Sequence, residues 1–287
     1  MLKPYVALAC ILLMSVLAFP QAVSTQSTKL VTSADAAFDR WQGAFSFEEY
    51  QARLLEALGD YESALAAIPA DSIQTRSHIL NRLAQGYFEL GMAYLDDRDE
   101  QEAAYGKGKD YARASLRLDP TFVETERNSF RAALQSASNV KAIFWYGNNL
   151  GRYLNFHPLT ALSGGMKDVQ ASFARAIELD PTYLGGGPWR ALGSFLAQVP
   201  AFLGGDPQQA RAAFDRAIAI DPNYLENYVD DAEYVAMPEQ DWDRFCRELG
   251  RCIDLADDPG IVAIWPLYNA LSVQRAKQLL QDHDCSD

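Results

Sequence analysis

The chain has 287 residues, 49% apolar and 22% charged, with a formal net charge of −13 and a pI near 4.7. That is ample for a hydrophobic core and argues against disorder. The sign of the charge opposes nucleic acid and anionic membranes, whose phosphates call for lysine and arginine. It fits an acidic, solvated surface instead.

Lys3 precedes an apolar run from Tyr5 to Phe19, closed by Pro20, and Ala22-Val23-Ser24 offers small residues at cleavage-site spacing. Residues 1–24 therefore read as a secretory signal peptide, too short for a membrane span, which predicts export to a bacterial periplasm. A lipid anchor at Cys10 is not supported by a convincing lipobox, because Ala7 is atypical there and little apolar sequence precedes the cysteine. Residues 25–287 read as one helical-repeat domain. Helices are expected near 46–58 and 61–68, joined by a turn at Gly59-Asp60-Tyr61-Glu62, and near 75–96 and 99–118. An extra helix lies near 121–135. Then come 138–156 with 167–179, 188–203 with 207–220, and 223–236 with 238–256. A last helix, 260–282, would cap the stack. The paired units are about 46–70, 75–120, 138–181, 188–222 and 223–259. Ser46-x2-Glu49 and Thr121-x2-Glu124 read as capping boxes, and Asp206-Pro207 as a cap followed by a first-turn proline. No stretch reads as a run of strands.

Three of these units share a skeleton. Trp189-x2-Leu192-Gly193 is followed by Ala210-x3-Phe214-x2-Ala217-x4-Pro222; Tyr87-x2-Leu90-Gly91-x2-Tyr94 closes at Pro120; Leu150-Gly151 leads to Phe173-x2-Ala176-x4-Pro181. This is the tetratricopeptide pattern. The large residues and leucines face the partner helix, the glycine lets that helix approach, and each Asp-Pro stops the second helix. The expected fold is all-α, a tetratricopeptide-like α-solenoid with a C-terminal capping helix and a concave face that binds rather than catalyses. From glycine to closing proline the three units span 29, 30 and 29 steps, where a 34-residue repeat needs about 24. The excess recurs, and it is expected in loops between the paired helices, at Gly106-Lys107-Gly108, 157–165 and 200–207.

No catalytic constellation emerges. His78, His157 and His283 are scattered, and no phosphate loop, nucleophile elbow or metal-ligand spacing is present. No cofactor or metal is expected. Gly185-Gly186-Gly187-Pro188 reads as a turn feeding a helix, and Asp230-Asp231 and Asp257-Asp258 as solvated pairs. Cys246 and Cys252 lie six apart on one helix and cannot pair with each other. Either could meet Cys285 if the tail folds back, with Cys246 favoured by an antiparallel cap helix; all three free is the other reading.

Tetratricopeptide ligands meet one face of the first helix of each pair. Here that face carries Gln85, Phe88, Met92 and Leu95; then Trp145, Asn148, Arg152 and Asn155; then Arg190, Ser194 and Ala197. Asn148 and Asn149 are poor helix-interior residues, and such local inconsistency points to function. The candidate groove is Phe88, Met92, Trp145, Asn148, Asn149, Arg152, Trp189 and Arg190. Arg152 and Arg190 suit a carboxylate, Trp145 and Phe88 an apolar tail. The competing reading has both arginines paired with neighbouring acids and Trp145 in the core.

Phe144-Trp145-Tyr146-Gly147-Asn148-Asn149-Leu150-Gly151-Arg152, Gly185-Gly186-Gly187-Pro188-Trp189-Arg190-Ala191-Leu192-Gly193 and the spacing between them resemble the T components of TRAP transporters, called TatT. The resemblance covers roughly 30–283. It implies a periplasmic, all-helical, non-enzymatic accessory protein that forms homotrimers and partners the substrate-binding P component. It also implies a channel facing that component's ligand cleft, and a small hydrophobic or carboxylated organic solute. The alternative function is a scaffold binding extended protein segments in an envelope assembly complex.

Overall fold

The computed structural model describes residues 25–283 and Cys285; the segment 1–24 read as a signal peptide, with Cys10, lies outside the described residues. No strand occurs among the described residues. The longer helices are α1 (Thr25–Asp35), α2 (Phe47–Ala67), α3 (Ile73–Ala93), α4 (Arg98–Leu116), α5 (Pro120–Glu126), α6 (Phe130–Ser136), α7 (Val140–Leu154), α8 (Met166–Leu179), α9 (Tyr183–Gln198), α10 (Pro207–Ile220), α11 (Leu225–Asp231), α12 (Trp242–Ala256) and α13 (Pro266–Asp282). The fold is the expected all-α helical repeat, with α3/α4, α7/α8 and α9/α10 as its three long pairs.

The skeleton glycines sit where paired helices come closest. A Cβ on Gly91 would meet the Tyr105 ring at 2.9 Å, and one on Gly193 the Phe214 ring at 3.0 Å. In the middle pair the tight contact falls one turn earlier, at Gly147 against Phe173 (2.8 Å), while Gly151 is in ordinary contact with Val169.

Several boundaries differ from the sequence reading. α2 runs unbroken through Gly59-Asp60, so 46–70 is one helix and not a pair. Gly59 is exposed, and its cost is outweighed by the buried stripe Tyr50, Leu54, Leu58 and Tyr61. The partner of α2 is α1, which the sequence reading left unassigned. Residues 121–135 form two short helices. Thr121 does not cap: Asp119 does, accepting the Thr121 N–H at 2.8 Å ahead of Pro120. Ser46 and Asp206 cap as expected, accepting from the N–H groups of Glu49 and Gln209.

The excess residues also have two destinations. In the later pairs they form the connections, a short helix (Pro158–Thr160) with a widened turn (Ala161–Gly165), and a 3₁₀ turn (Ala201–Leu203). In the first pair they lengthen α4, and Gly106-Lys107-Gly108 is helical. Gly108 is small because Asn149 of α7 lies there: a Cβ would fall 2.2 Å from its Oδ1. A glycine kept for close approach had the composition of a loop.

The C-terminal helix does more than cap an open end. A short turn (Pro259–Val262) precedes it. Toward its C-terminus it packs on α11 and α12, where Ala276 and Leu279 join their core. Its beginning reaches the N-terminal helices, where Leu267 is fully buried with residues of α2 and α3. The Trp41 N–H donates to the Ala263 carbonyl at 3.0 Å, and Arg40 to Gly260 at 2.9 Å. Tyr268 and Tyr50 donate to Glu89 at 3.0 and 2.9 Å, with Gln85 as a third donor. Burial pushes the Glu89 carboxyl up, and these donors pull against it. The solenoid is thus closed across its concave side. Cys246 and Cys285 form a disulfide (Cα–Cα 5.6 Å) that fastens the tail to α12, and Cys252 remains a buried thiol.

Candidate functional site: a cavity closed by the C-terminal helix

Closure leaves a cavity of about 920 Å³ on the concave face. α7 contributes Phe144, Trp145, Asn148 and Arg152, with Asn155 at its C-cap; α3 adds Phe88 and Met92; α9 adds Arg190, Ser194, Phe195 and Gln198. α11 and the widened turn after it (Ala232–Ala236) bring Glu226, Asp230, Glu233 and Tyr234. α13 supplies Tyr268, Leu271, Ser272, Arg275 and Gln278 across from them. Pro158, Ala161 and Leu162 from one long connection and Pro200 and Leu203 from the other complete the wall.

Six of the eight sequence-predicted residues meet here: Phe88, Met92, Trp145, Asn148, Arg152 and Arg190. Trp145 is both wall and core. It is almost fully buried, lies at a tilt against Phe88 (5.5 Å between centroids) and donates from Nε1 to Tyr183 at 3.0 Å. Asn148 donates to the Phe144 carbonyl at 2.9 Å, back along its own helix. Asn149 and Trp189 are not lining residues. Asn149 is wholly buried and donates to the carbonyls of Ala84 (3.0 Å) and Trp145 (2.8 Å), tying α7 to α3. Its mid-helix oddity is structural.

The two arginines differ. Arg190 is buried, with its side chain 6% exposed. It donates to Asn227 Oδ1 at 3.0 Å, pairs with Glu226 at 2.9 Å, and lies 4.5 Å over the Tyr224 ring. Burial works against its charge, and Glu226 with Tyr224 and Asp230 more than offsets that. Asn227 passes the constraint on, donating to the carbonyls of Gly185 (2.9 Å) and Ala217 (3.1 Å). The glycine run feeding α9 makes this possible. Leu184, Gly185 and Gly186 are left-handed (φ 50°, 60° and 83°), and a Cβ on Gly185 would lie 2.2 Å from the Tyr224 ring. Arg152, by contrast, is exposed and has no ion pair among the described residues. The sequence reading gave both arginines to a carboxylate; Arg190 is already held by Glu226 and Asn227, and Arg152 is the accessible one.

The acidic wall was missed. Asp230 and Asp231 were read as a solvated pair, but they point apart. Asp231 is fully buried and accepts two bonds from Arg244, at 2.7 and 2.9 Å; burial pushes its carboxyl up to about 6 while Arg244 pulls it down. Asp230 lines the cavity. Burial, then Glu226, drives its carboxyl well above the usual range against the pull of Arg190. Glu226, Asp230 and Glu233 are four and three apart, one helix face, and that spacing was the available signal. Glu233 is paired with Arg275 of α13 at 3.0 Å. Among the described residues no group of three or more potential metal ligands occurs.

Residues 76–285 match the sequence profile of the TRAP transporter T-component family. The chain belongs to that family. It is an accessory-component family of an envelope transporter, not an enzyme family. No helix among the described residues of this T component is long and apolar enough to cross a membrane. No curated protein matches the chain. Among solved structures it is similar to the assembly chaperone of RpL4 (Acl4), residues 1–338, at 13% identity and a TM-score of 0.38, covering 91% of this chain and 92% of that one.

Proposed function

We propose that this T component is a periplasmic, non-enzymatic protein that docks the substrate-binding P component of its transporter and holds a small amphipathic solute in the cavity beneath α13. The observation that carries the solute half is the closure itself. α13 lies across the concave face, and both long connections contribute to the wall. An extended protein segment needs a continuous groove, and α13 crossing the concave face interrupts one, which favours the solute over the scaffold alternative. The wall is suited to such a ligand, with Met92, Met166 and Leu271 partly accessible for an apolar tail and Arg152 for an anionic head.

The docking face is the mouth of the cavity. Leu159 and Phe202, 82% and 80% exposed, and Leu162 stand on the two connections whose neighbours line the wall. Apolar side chains displayed beside a ligand opening suit a partner that passes ligand through it. Assembly as a homotrimer is carried over from the family. A pull-down with the P component at low and at physiological salt tests the docking half. Recovery at both supports it; recovery at neither contradicts it.

A further inference from the structure

The cavity wall carries three arginines, Arg152, Arg190 and Arg275, and three carboxylates, Glu226, Asp230 and Glu233. Two of each are matched. Arg190 pairs with Glu226 at 2.9 Å, and Arg275 with Glu233 at 3.0 Å. One group of each sign is left, on different walls: Arg152 on α7 and Asp230 on α11.

Asp230 is poorly served. Its nearest cation is Arg190 Nε at 4.0 Å, already engaged by Glu226 and Asn227. Its hydrogen bond from Ser194 Oγ is long, at 3.4 Å. Its side chain keeps 18% of its surface, open to the cavity. A mostly buried carboxylate without a close donor calls for a cation or a proton. Burial and the carboxylates of Glu226 and Glu233 push its carboxyl up, and Arg190 and Arg152 pull the other way without cancelling them. Arg152 is thus near enough to act on Asp230 electrostatically while making no ion pair of its own.

We propose that the cavity selects a zwitterionic amphiphile, with its carboxylate on Arg152, its ammonium group on Asp230 and its apolar tail along Met92, Met166 and Leu271. The inference rests on the solute-binding reading and narrows it. A plain carboxylate would satisfy Arg152 and leave Asp230 without a cation. A plain amine would satisfy Asp230 and leave Arg152 to solvent. Only a ligand with both charges completes both groups, and the cavity then holds balanced charge throughout.

The test is calorimetric titration of the mature chain with octanoate, octylamine and 2-aminooctanoate, which share a tail and differ in head group. The amino acid is expected to bind at least about tenfold more tightly than octanoate, the weight of one charge-assisted hydrogen bond. Asp230→Asn should erase that preference while leaving octanoate binding in place, and Arg152→Gln should weaken octanoate and 2-aminooctanoate alike. The wild-type ranking decides the matter even if a variant folds poorly. Octanoate binding as tightly as 2-aminooctanoate, or a preference that survives Asp230→Asn, overturns the zwitterion and leaves the solute reading standing. Binding of none of the three overturns both.

Discussion

α7 and α9 occupy equivalent places in successive repeat pairs, yet the cations they bring to the cavity do opposite work. On α9, Arg190 is enclosed by Tyr224, Glu226 and Asn227 and locks the start of its helix to α10 and α11. On α7, Arg152 stands one turn later in its helix and is exposed, with no ion pair among the described residues. The same residue type is a rivet on one wall and an exposed group without an ion pair on the other. What separates them is the neighbouring element: α11 brings Glu226 to ion-pair distance of Arg190, and no acid among the described residues comes that close to Arg152.

Breaking the rivet should have the largest effect. Arg190→Met leaves Glu226 and Asp230 facing each other without their shared cation, and should cost about 3–5 kcal/mol, as loss of one partner of a buried pair does. Thermal or urea unfolding would show it. Gly185→Ala attacks the same joint from the backbone. It sets a Cβ against Tyr224 at a left-handed φ and should cost about 2–4 kcal/mol. Little change in the midpoint would mean that Tyr224 and α9 readily give way. Cys246→Ser opens a link between residues 39 apart and should cost about 2–4 kcal/mol. The remaining thiol offers a check on that core. Burial pushes Cys252 up to about 12, so it should resist alkylation at pH 8 until the protein is unfolded. Arg152→Gln, the exposed counterpart, should shift stability by less than about 0.5 kcal/mol. A large loss there would place Arg152 among the structural residues.

The repeat pairs were legible because their signal is local: large apolar residues and glycines at helical spacing, stopped by Asp-Pro. α10 matches its expected bounds, 207–220. The groove residues followed from the same register, and six of eight reached the cavity. What was not legible depends on partners distant in the chain. Gly106 and Gly108 resembled a loop because the reason for their size, α7, lies some forty residues on. Asn149 resembled a binding residue because its acceptors on Ala84 and Trp145 are backbone atoms. The stripe Glu226, Asp230 and Glu233 had a visible spacing, but its meaning required α13 to fold back over the concave face. No periodicity announces that contact; it is secured by Trp41, Glu89 and Tyr268.

The central claim is that the rim of the cavity beneath α13 docks the transporter's solute-binding subunit. Its most direct test is the affinity of that subunit for the wild-type chain and for the double variant Leu159→Asp, Phe202→Asp, measured by sedimentation or calorimetry alongside thermal melting. The account predicts that the wild type binds and that the double variant, with an unchanged melting temperature, binds at least about tenfold more weakly, as loss of two central apolar contacts would give. A wild type that does not bind, or a double variant that binds equally well, would contradict it.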